Sequence, residues 1–358
     1  MAGGKWGLSP FRIGTVPIDT LTHALSGALL ARSVPRTTPR QVAAGFFAAA
    51  APDLDFVLGF VSPLVYLEQH RGPTHSVLLL PLWALLLAWL LAKVLREPGG
   101  WKALYGICAL ALAAHIVGDL ITSFGTIVFA PLSDARYAWG TTFIIDLWFT
   151  GIIAAGLLAS AFLRGTRIPA RVASLALVSY VLFQAVQKNE ALDYAREYAA
   201  KQGWGAVEIT AHPRAVSPFN WTVYASDELA HRYAHVNLRR SEPRPAAHDF
   251  IGQLDAAFLP RAQAQWETRT RYGASAAEQR IAREAWNSEA LGFMRWFADR
   301  PAFDGLTAGS DCAWFVDLRF LNPGRDWVPF RYGACRERAG APWVAFERTE
   351  GAARRALD

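Results

Sequence analysis

Cysteine is scarce: the 358 residues hold three, with no CxxC pair and no zinc-finger spacing. This excludes a disulfide-scaffold fold and a cysteine-held zinc fold. Charge is sparse too, at 18% of residues, against about a quarter in ordinary domains. With 53% hydrophobic residues, such a chain is neither disordered nor collagen-like. The net charge is +6, but no dense Lys/Arg stripe accompanies it. A nucleic-acid partner is therefore not expected. The first 17 residues contain no long apolar run, so no cleavable signal peptide is expected. Internal repeats and low-complexity tracts are absent from the sequence.

Long apolar stretches are present instead, concentrated before residue 188. Residues 77–92 and 172–187 carry no charge. Residues 103–133 are interrupted by His115 and Asp119, and residues 143–163 by Asp146 near the start. Each approaches the length that crosses a hydrocarbon core of about 30 Å. Residues 41–67 are apolar but contain Pro52, Asp53 and Asp55, and residues 21–31 read as a half-helix. After Lys188 charges, Pro and Gly become frequent. Aromatic and β-branched segments at 206–209, 221–224, 235–238, 313–320, 327–332 and 343–348 read as antiparallel strands. Segments 190–201 and 276–299 read as helices. The expectation is a mainly α membrane bundle of about four to five apolar helices over residues 1–188. A soluble α+β, Trp-rich domain follows over 189–358.

The linkers 32–40, 93–102 and 164–171 each carry three basic residues. If the spans alternate, all three fall on one side, which the positive-inside rule makes cytoplasmic. The opposite side then holds the N-terminus, the loops near 62–76 and 131–142, and the C-terminal domain. This describes a multi-pass protein of the cell (inner) membrane, in contact with its lipids.

The apolar half contains four His, each close to another polar group. Asp19-Thr20-Leu21-Thr22-His23 opens the first helix, and Pro52-Asp53-Leu54-Asp55 interrupts the second. Gln69-His70-Arg71-Gly72-Pro73-Thr74-His75-Ser76 precedes the third, and His115-Ile116-Val117-Gly118-Asp119 lies within the fourth. Ionisable groups at membrane depth are expensive and mark function or a partner. His115 and Asp119, four apart, share a helical face. They read as joint metal ligands, as a ligand with its orienter, or as a plain hydrogen bond. Asp53 reads as a cap, but a second carboxylate two residues on is harder to place without a cation. Gly72-Pro73 forces a turn that can aim His70 and His75 at one volume. A wet interfacial loop with a snorkelling arginine is the plainer reading of that segment. On the topology above, His23, Asp53, Asp55, His70, His75, His115 and Asp119 lie in one non-cytoplasmic layer. They suit a divalent metal, zinc first, with manganese or iron as alternatives.

The order THxxxG, PDxD, HRGxTHS and HxxxDxxTxxG resembles the YdjM-type (DUF457) family of membrane-bound, metal-dependent hydrolases. The matching residues are Thr22, His23 and Gly27; Pro52, Asp53 and Asp55; His70, Arg71, Gly72, Thr74, His75 and Ser76; and His115, Asp119, Thr122 and Gly125, over about residues 18–165. Pro131 continues the pattern, and Pro73 departs from it. The ligand types more distantly resemble the all-helical zinc phospholipase C and P1-type nuclease group, which suggests a phosphoester or lipid-derived substrate. On this reading Arg71 holds an anionic oxygen, Asp55 or Asp119 is the general base, and Thr74 and Ser76 support the ligands. Two rival readings stand beside it, the first using the same residues and the second not needing them. One is a transporter or channel component with a proton or metal relay; the other is a membrane anchor for a partner-binding domain. His212, His231, His235 and His248 read as surface or capping groups. Cys108 reads as a buried thiol. Cys312 and Cys335 flank two strand-like segments and are expected to form a disulfide.

Overall fold

The computed structural model describes residues 16–245, 249–307, 311–323, 328–338, 340–349 and 353–357. Among the described residues seven α-helices form the N-terminal part: α1 (Val16–Ser33), α2 (Pro39–Ala50), α3 (Pro63–Gln69), α4 (Leu80–Val94), α5 (Gly100–Leu120), α6 (Leu147–Phe162) and α7 (Ile168–Lys201). Their starts follow local chemistry. Thr38 accepts from the Gln41 backbone while the Gln41 side chain accepts from the Thr38 backbone, with Pro39 in the first turn. Asp146 accepts from the Trp148 and Phe149 backbones, so the one charge of that stretch is a cap.

By length and composition α5 and α7 can each cross a membrane. Two bent pairs bring the number of candidate spans up to four. Pro39–Ala50 joins Pro52–Phe60 at 41°, and Pro63–His75 joins Leu80–Val94 at 82°. Leu82, Leu86, Trp89 and Leu90 on α4 and Leu175, Val178, Leu182 and Val186 on α7 are exposed, as lipid-facing residues would be. Inside, small residues let helices approach closely. Ala44, Ala48, Ala84, Ala88, Ala111 and the buried Cys108 form one cluster with Leu104 and Leu112.

Helices α1 and α2 approach each other closely at two glycines. A Cβ on Gly45 would lie 2.6 Å from the Gly27 carbonyl oxygen, and one on Gly27 would lie 2.2 Å from the Gly45 oxygen. Gly45→Val is therefore expected to destabilise the detergent-solubilised chain by about 1–3 kcal/mol. An unchanged melting temperature would refute the close crossing.

The apolar stretch 103–133 is not one span. Helix α5 ends at Leu120, and residues 121–146 run without helix. They are tied back by Val77 N to Val128 O (2.9 Å), Ile127 N to Arg71 O (2.8 Å) and Trp139 N to Leu120 O (2.6 Å). Irregular backbone at membrane depth requires such internal partners. The stretch 21–31 is likewise part of a full 18-residue helix, α1.

Helix α7 has 34 residues. The helix expected over 190–201 is its last third. There Ala191 and Ala195 pack with Trp221, Val223, Ala234 and Val236. Those residues belong to a first sheet of β1 (Glu208–Pro213), β2 (Asn220–Ser226), β3 (Ala230–Asn237), β4 (Leu259–Pro260) and β5 (Trp266–Thr270). Its order is β1-β2-β3-β4, with β5 also on β3. Helix α8 (Phe250–Ala256) precedes β4.

Helices α9 (Ala276–Asn287) and α10 (Gly292–Phe297) precede a second, antiparallel sheet. It comprises β6 (Pro301–Leu306), β7 (Asp311–Asp317), β8 (Tyr332–Arg336), β9 (Val344–Arg348) and β10 (Arg354–Ala356) in the order β10-β9-β8-β7-β6. The helix expected over 276–299 is thus broken, at Ser288, whose extended backbone (φ −66°, ψ 158°) stops it. By its contacts the chain forms two units. One comprises residues 19–225 and 233–266; the other includes 226–232 and 267–358.

Cys312 and Cys335 are disulfide-bonded. They lie opposite one another inside β7 and β8 rather than outside the strands. The strand expected at 327–332 begins only at Tyr332, and Trp327 lies outside the described residues.

His231 is not a surface group. It is buried, with Nδ1 at 2.8 Å from Ser226 Oγ and Nε2 at 2.9 Å from the Pro301 carbonyl. His248 lies outside the described residues. Burial, and then the Arg214 charge, push His235 down to about 3. Below about pH 6.5 the unfolded chain takes up this proton and the folded chain does not. Stability should therefore fall as pH drops from 6.5 toward 3, by about 1 kcal/mol per pH unit from this group. Urea titrations at pH 7 and 5 should show a smaller loss for His235→Gln; equal losses would count against this account.

Candidate metal centre

Three features of the helices bring the polar groups together. The α1–α2 crossing sets His23 beside α5, and Gly118 leaves room for its ring. A Cβ there would lie 2.8 Å from His23 Cε1. Helix α2 ends at Ala50, and Pro52 opens a 3-10 turn that buries Asp53 and Asp55 while Leu54 is exposed. Asp53 makes no side-chain cap there. Finally, α3 ends at a turn in which Arg71 takes a left-handed backbone, φ 60°, a strained state for a side-chain-bearing residue. His70 is thereby turned toward Asp55, and the next short turn, Pro73–His75, buries His75.

Asp53, His75, His115 and Asp119 each offer one ligand atom within 4.8 Å of the others, and all four are buried. The two histidine Nε2 atoms face each other at 2.8 Å. Asp119 Oδ2 lies 2.9 Å from His75 Nε2 and 3.4 Å from His115 Nε2. Asp53 Oδ1 lies 3.8 and 3.5 Å from the same two nitrogens.

The proton positions follow from the other ring nitrogens. His115 Nδ1 is 2.7 Å from the Ala49 carbonyl, which can only accept, so Nδ1 carries the proton. Thr74 Oγ1 donates to Asp55 (3.3 Å) and so accepts from His75 Nδ1 (2.9 Å). As neutral rings, both histidines then present their Nε2 lone pairs to the same point. Two lone pairs do not bond each other; a cation between them resolves the contact. Among the described residues Asp53 Oδ2 has no hydrogen-bond partner, while Asp119 Oδ1 is ion-paired with Arg71 Nη2 and Oδ2 faces the two histidines. A tetrahedral ion with bonds of about 2.0–2.1 Å has ligand–ligand edges of about 3.3 Å, within the observed spread. The donor set fits a divalent metal.

The remaining predicted residues surround this set. Asp55 Oδ1 pairs with His70 Nδ1 at 2.8 Å, and its Oδ2 accepts from Arg71 N at 3.1 Å. Oδ2 stands 3.8 Å from His75 Nδ1, so Asp55 and His70 lie behind the His75 ring. His23 lies against His115 with the rings tilted by 35° and centroids 4.0 Å apart, and its Nε2 is 3.3 Å from Asp119 Oδ1. Arg71 is buried; Nη1 donates to Thr122 Oγ1 (3.0 Å) and Nη2 lies 2.9 Å from Asp119 Oδ1. Ser76 Oγ donates to the Ala130 carbonyl (2.6 Å) and accepts from Leu78 N (3.1 Å), tying the loop to the start of α4.

Residues 18–191 match the model of a family described as YdjM inner membrane protein. Over those residues the chain belongs to the YdjM family. That half is a membrane protein domain with a buried His/Asp cluster able to hold a metal ion. A curated relative, the uncharacterized protein YfhP of Bacillus subtilis (strain 168), is 27% identical over 132 residues. The match covers 34% of this chain and 40% of YfhP, so the chain spans less than half of that relative's length. No solved structure matches significantly.

Two residues of the YdjM domain escaped the sequence reading. Asp19, one turn before His23, joins His23 and Asp119 in a second group of ligand atoms within 4.8 Å. Its i, i+4 spacing to His23 was the available signal, masked by the ordinary preference for acids in a first helical turn. Gly118 sits inside the HIVGD segment, and only the position of His23 explains its lack of a side chain.

Proposed function

We propose that the YdjM domain is a metal-dependent hydrolase of the membrane, acting on a phosphoester or lipid-derived substrate. The observation that carries this is the pair of histidine Nε2 atoms 2.8 Å apart with two buried carboxylates gathered around them. Asp53, His75, His115 and Asp119 would hold the ion; zinc fits this mixed set best, with manganese and iron as alternatives. Such an ion supplies a Lewis acid and brings the ionisation of water toward neutral pH.

The chain's own residues do the rest. Ala49 and Thr74 hold the two ring tautomers that leave Nε2 bare. Arg71 Nε, buried and without a hydrogen-bond partner among the described residues, would be the donor left for an anionic oxygen of the substrate. The general base would be Asp119 or Asp55: Asp119 faces the metal set, whereas Asp55, bonded to His70, Arg71 N and Thr74, would act from behind the His75 ring.

The protein would cross the membrane several times, with the site and the C-terminal sheets on the non-cytoplasmic side, where the Cys312–Cys335 disulfide persists. Its partners would be membrane lipids and a small-molecule or lipid substrate, not nucleic acid. The test is a panel of phospholipids and phosphodiesters with purified chain and added metal. Cleavage that disappears in His115→Ala supports the reading. Vesicle ion flux that depends on His115, with no ester cleaved, replaces it with a relay.

A further inference from the structure

Asp119 faces two ways. Its Oδ2 lies against His75 and His115, at 2.9 and 3.4 Å. Its Oδ1 lies against His23 at 3.3 Å and Arg71 Nη2 at 2.9 Å. On that second side Asp19, His23 and Asp119 form their own group of ligand atoms within 4.8 Å. A carboxylate with ligand sets on both oxygens is how two divalent ions are bridged, at a separation of about 3.5–4 Å. Here one set is already met by a cation. Arg71 Nη2 reaches Asp19 Oδ2 at 3.3 Å as well as Asp119 Oδ1.

The guanidinium is not free to withdraw. Nη1 is bonded to Thr122 Oγ1 at 3.0 Å, and the group lies 5.0 Å from the Phe124 ring centroid. The Arg71 backbone is bonded on both sides, its N to Asp55 Oδ2 (3.1 Å) and its carbonyl to Ile127 N (2.8 Å). Arginine stays charged at any relevant pH. A divalent ion beside a fixed guanidinium in a buried site meets strong repulsion.

We infer that Arg71 stands in for a second metal. The centre takes one divalent ion, and Asp19, His23 and Asp119 become a second divalent-ion site only when the guanidinium is removed. This rests on the first set binding a metal, as proposed above. It makes Arg71 a positioning residue that pairs with Asp119 Oδ1 and leaves Oδ2 to the first ion.

The experiment loads full-length, detergent-purified chains with excess Zn²⁺, desalts them, and counts zinc per chain; Mn²⁺-loaded samples are read by electron paramagnetic resonance. Wild type and Arg71→Lys should hold one equivalent, and Arg71→Gln two, with a spin-coupled manganese pair. Arg71→Gln combined with Asp19→Asn should return to one. If Arg71→Gln does not fold, Asp19→Asn and His23→Ala in the otherwise wild-type chain decide. Retention of one equivalent in both supports the inference, and loss of zinc from either overturns it. Two equivalents in wild type, or one in a folded Arg71→Gln chain, overturn it as well. Zinc absent from wild type sinks the metal reading itself, and the inference falls with it.

Discussion

The wild-type chain, purified in detergent, is expected to retain a divalent ion, His75→Ala and Asp119→Asn chains to lose it, and the double variant His75→Ala, Asp119→Ala to hold none. Each single change removes one of four buried donors that meet within 4.8 Å. His75 supplies the nitrogen nearest both His115 and Asp119 Oδ2, at 2.8 and 2.9 Å. Stability should separate the two variants. Removing the Asp119 charge leaves the buried Arg71 with only Asp19, at 3.3 Å, as an anionic partner. Breaking a buried ion pair from one side costs about 3–5 kcal/mol. Removing His75 leaves no such charge unpaired, so its metal loss should come with a smaller drop in melting temperature. Metal analysis beside thermal melts checks both parts. A folded His75→Ala chain with full metal content would sink the centre.

Replacing Cys312 and Cys335 together by Ala is expected to remove about 3 kcal/mol, the chain-entropy value for closing a loop of about 24 residues. The bond joins β7 to β8 at a position where the two residues are cross-strand partners. Both sulfurs are buried with Trp314 and Phe346 against them, so the substitution also loses packing. Urea unfolding followed by tryptophan fluorescence should show the transition shifting to lower denaturant. An unshifted transition would mean that β7 and β8 hold together without the bond. Labelling of both thiols in non-reduced, denatured protein taken from the membrane would remove the disulfide altogether. It would also count against a non-cytoplasmic C-terminal region.

The sites where sequence reading succeeded share one property: the relevant geometry is local. His115 and Asp119 face one way because four residues make about one helical turn. The turn at Gly72-Pro73 follows from residues adjacent in the chain. The cysteine pairing also needed little more than two strands and a short connection. Even there the strand limits were misplaced, because pairing at 311–317 and 332–336 depends on the neighbouring strands β6 and β9.

By itself the sequence determined that apolar helices carry four histidines and several aspartates. Its motif order pointed to the YdjM family that the family match then showed. Only the tertiary structure decided which of those groups meet. Asp53 and Asp55 are two residues apart, yet Asp53 reaches His75 and His115 while Asp55 pairs with His70 behind the His75 ring. Asp19 entered the site and residues 121–146 folded back under it for the same reason. These outcomes depend on how closely α1 can approach α2 and α5, which Gly27, Gly45 and Gly118 permit. Close approach between segments far apart in sequence leaves no periodic trace in the chain. It emerges only when the whole bundle closes around its buried charges.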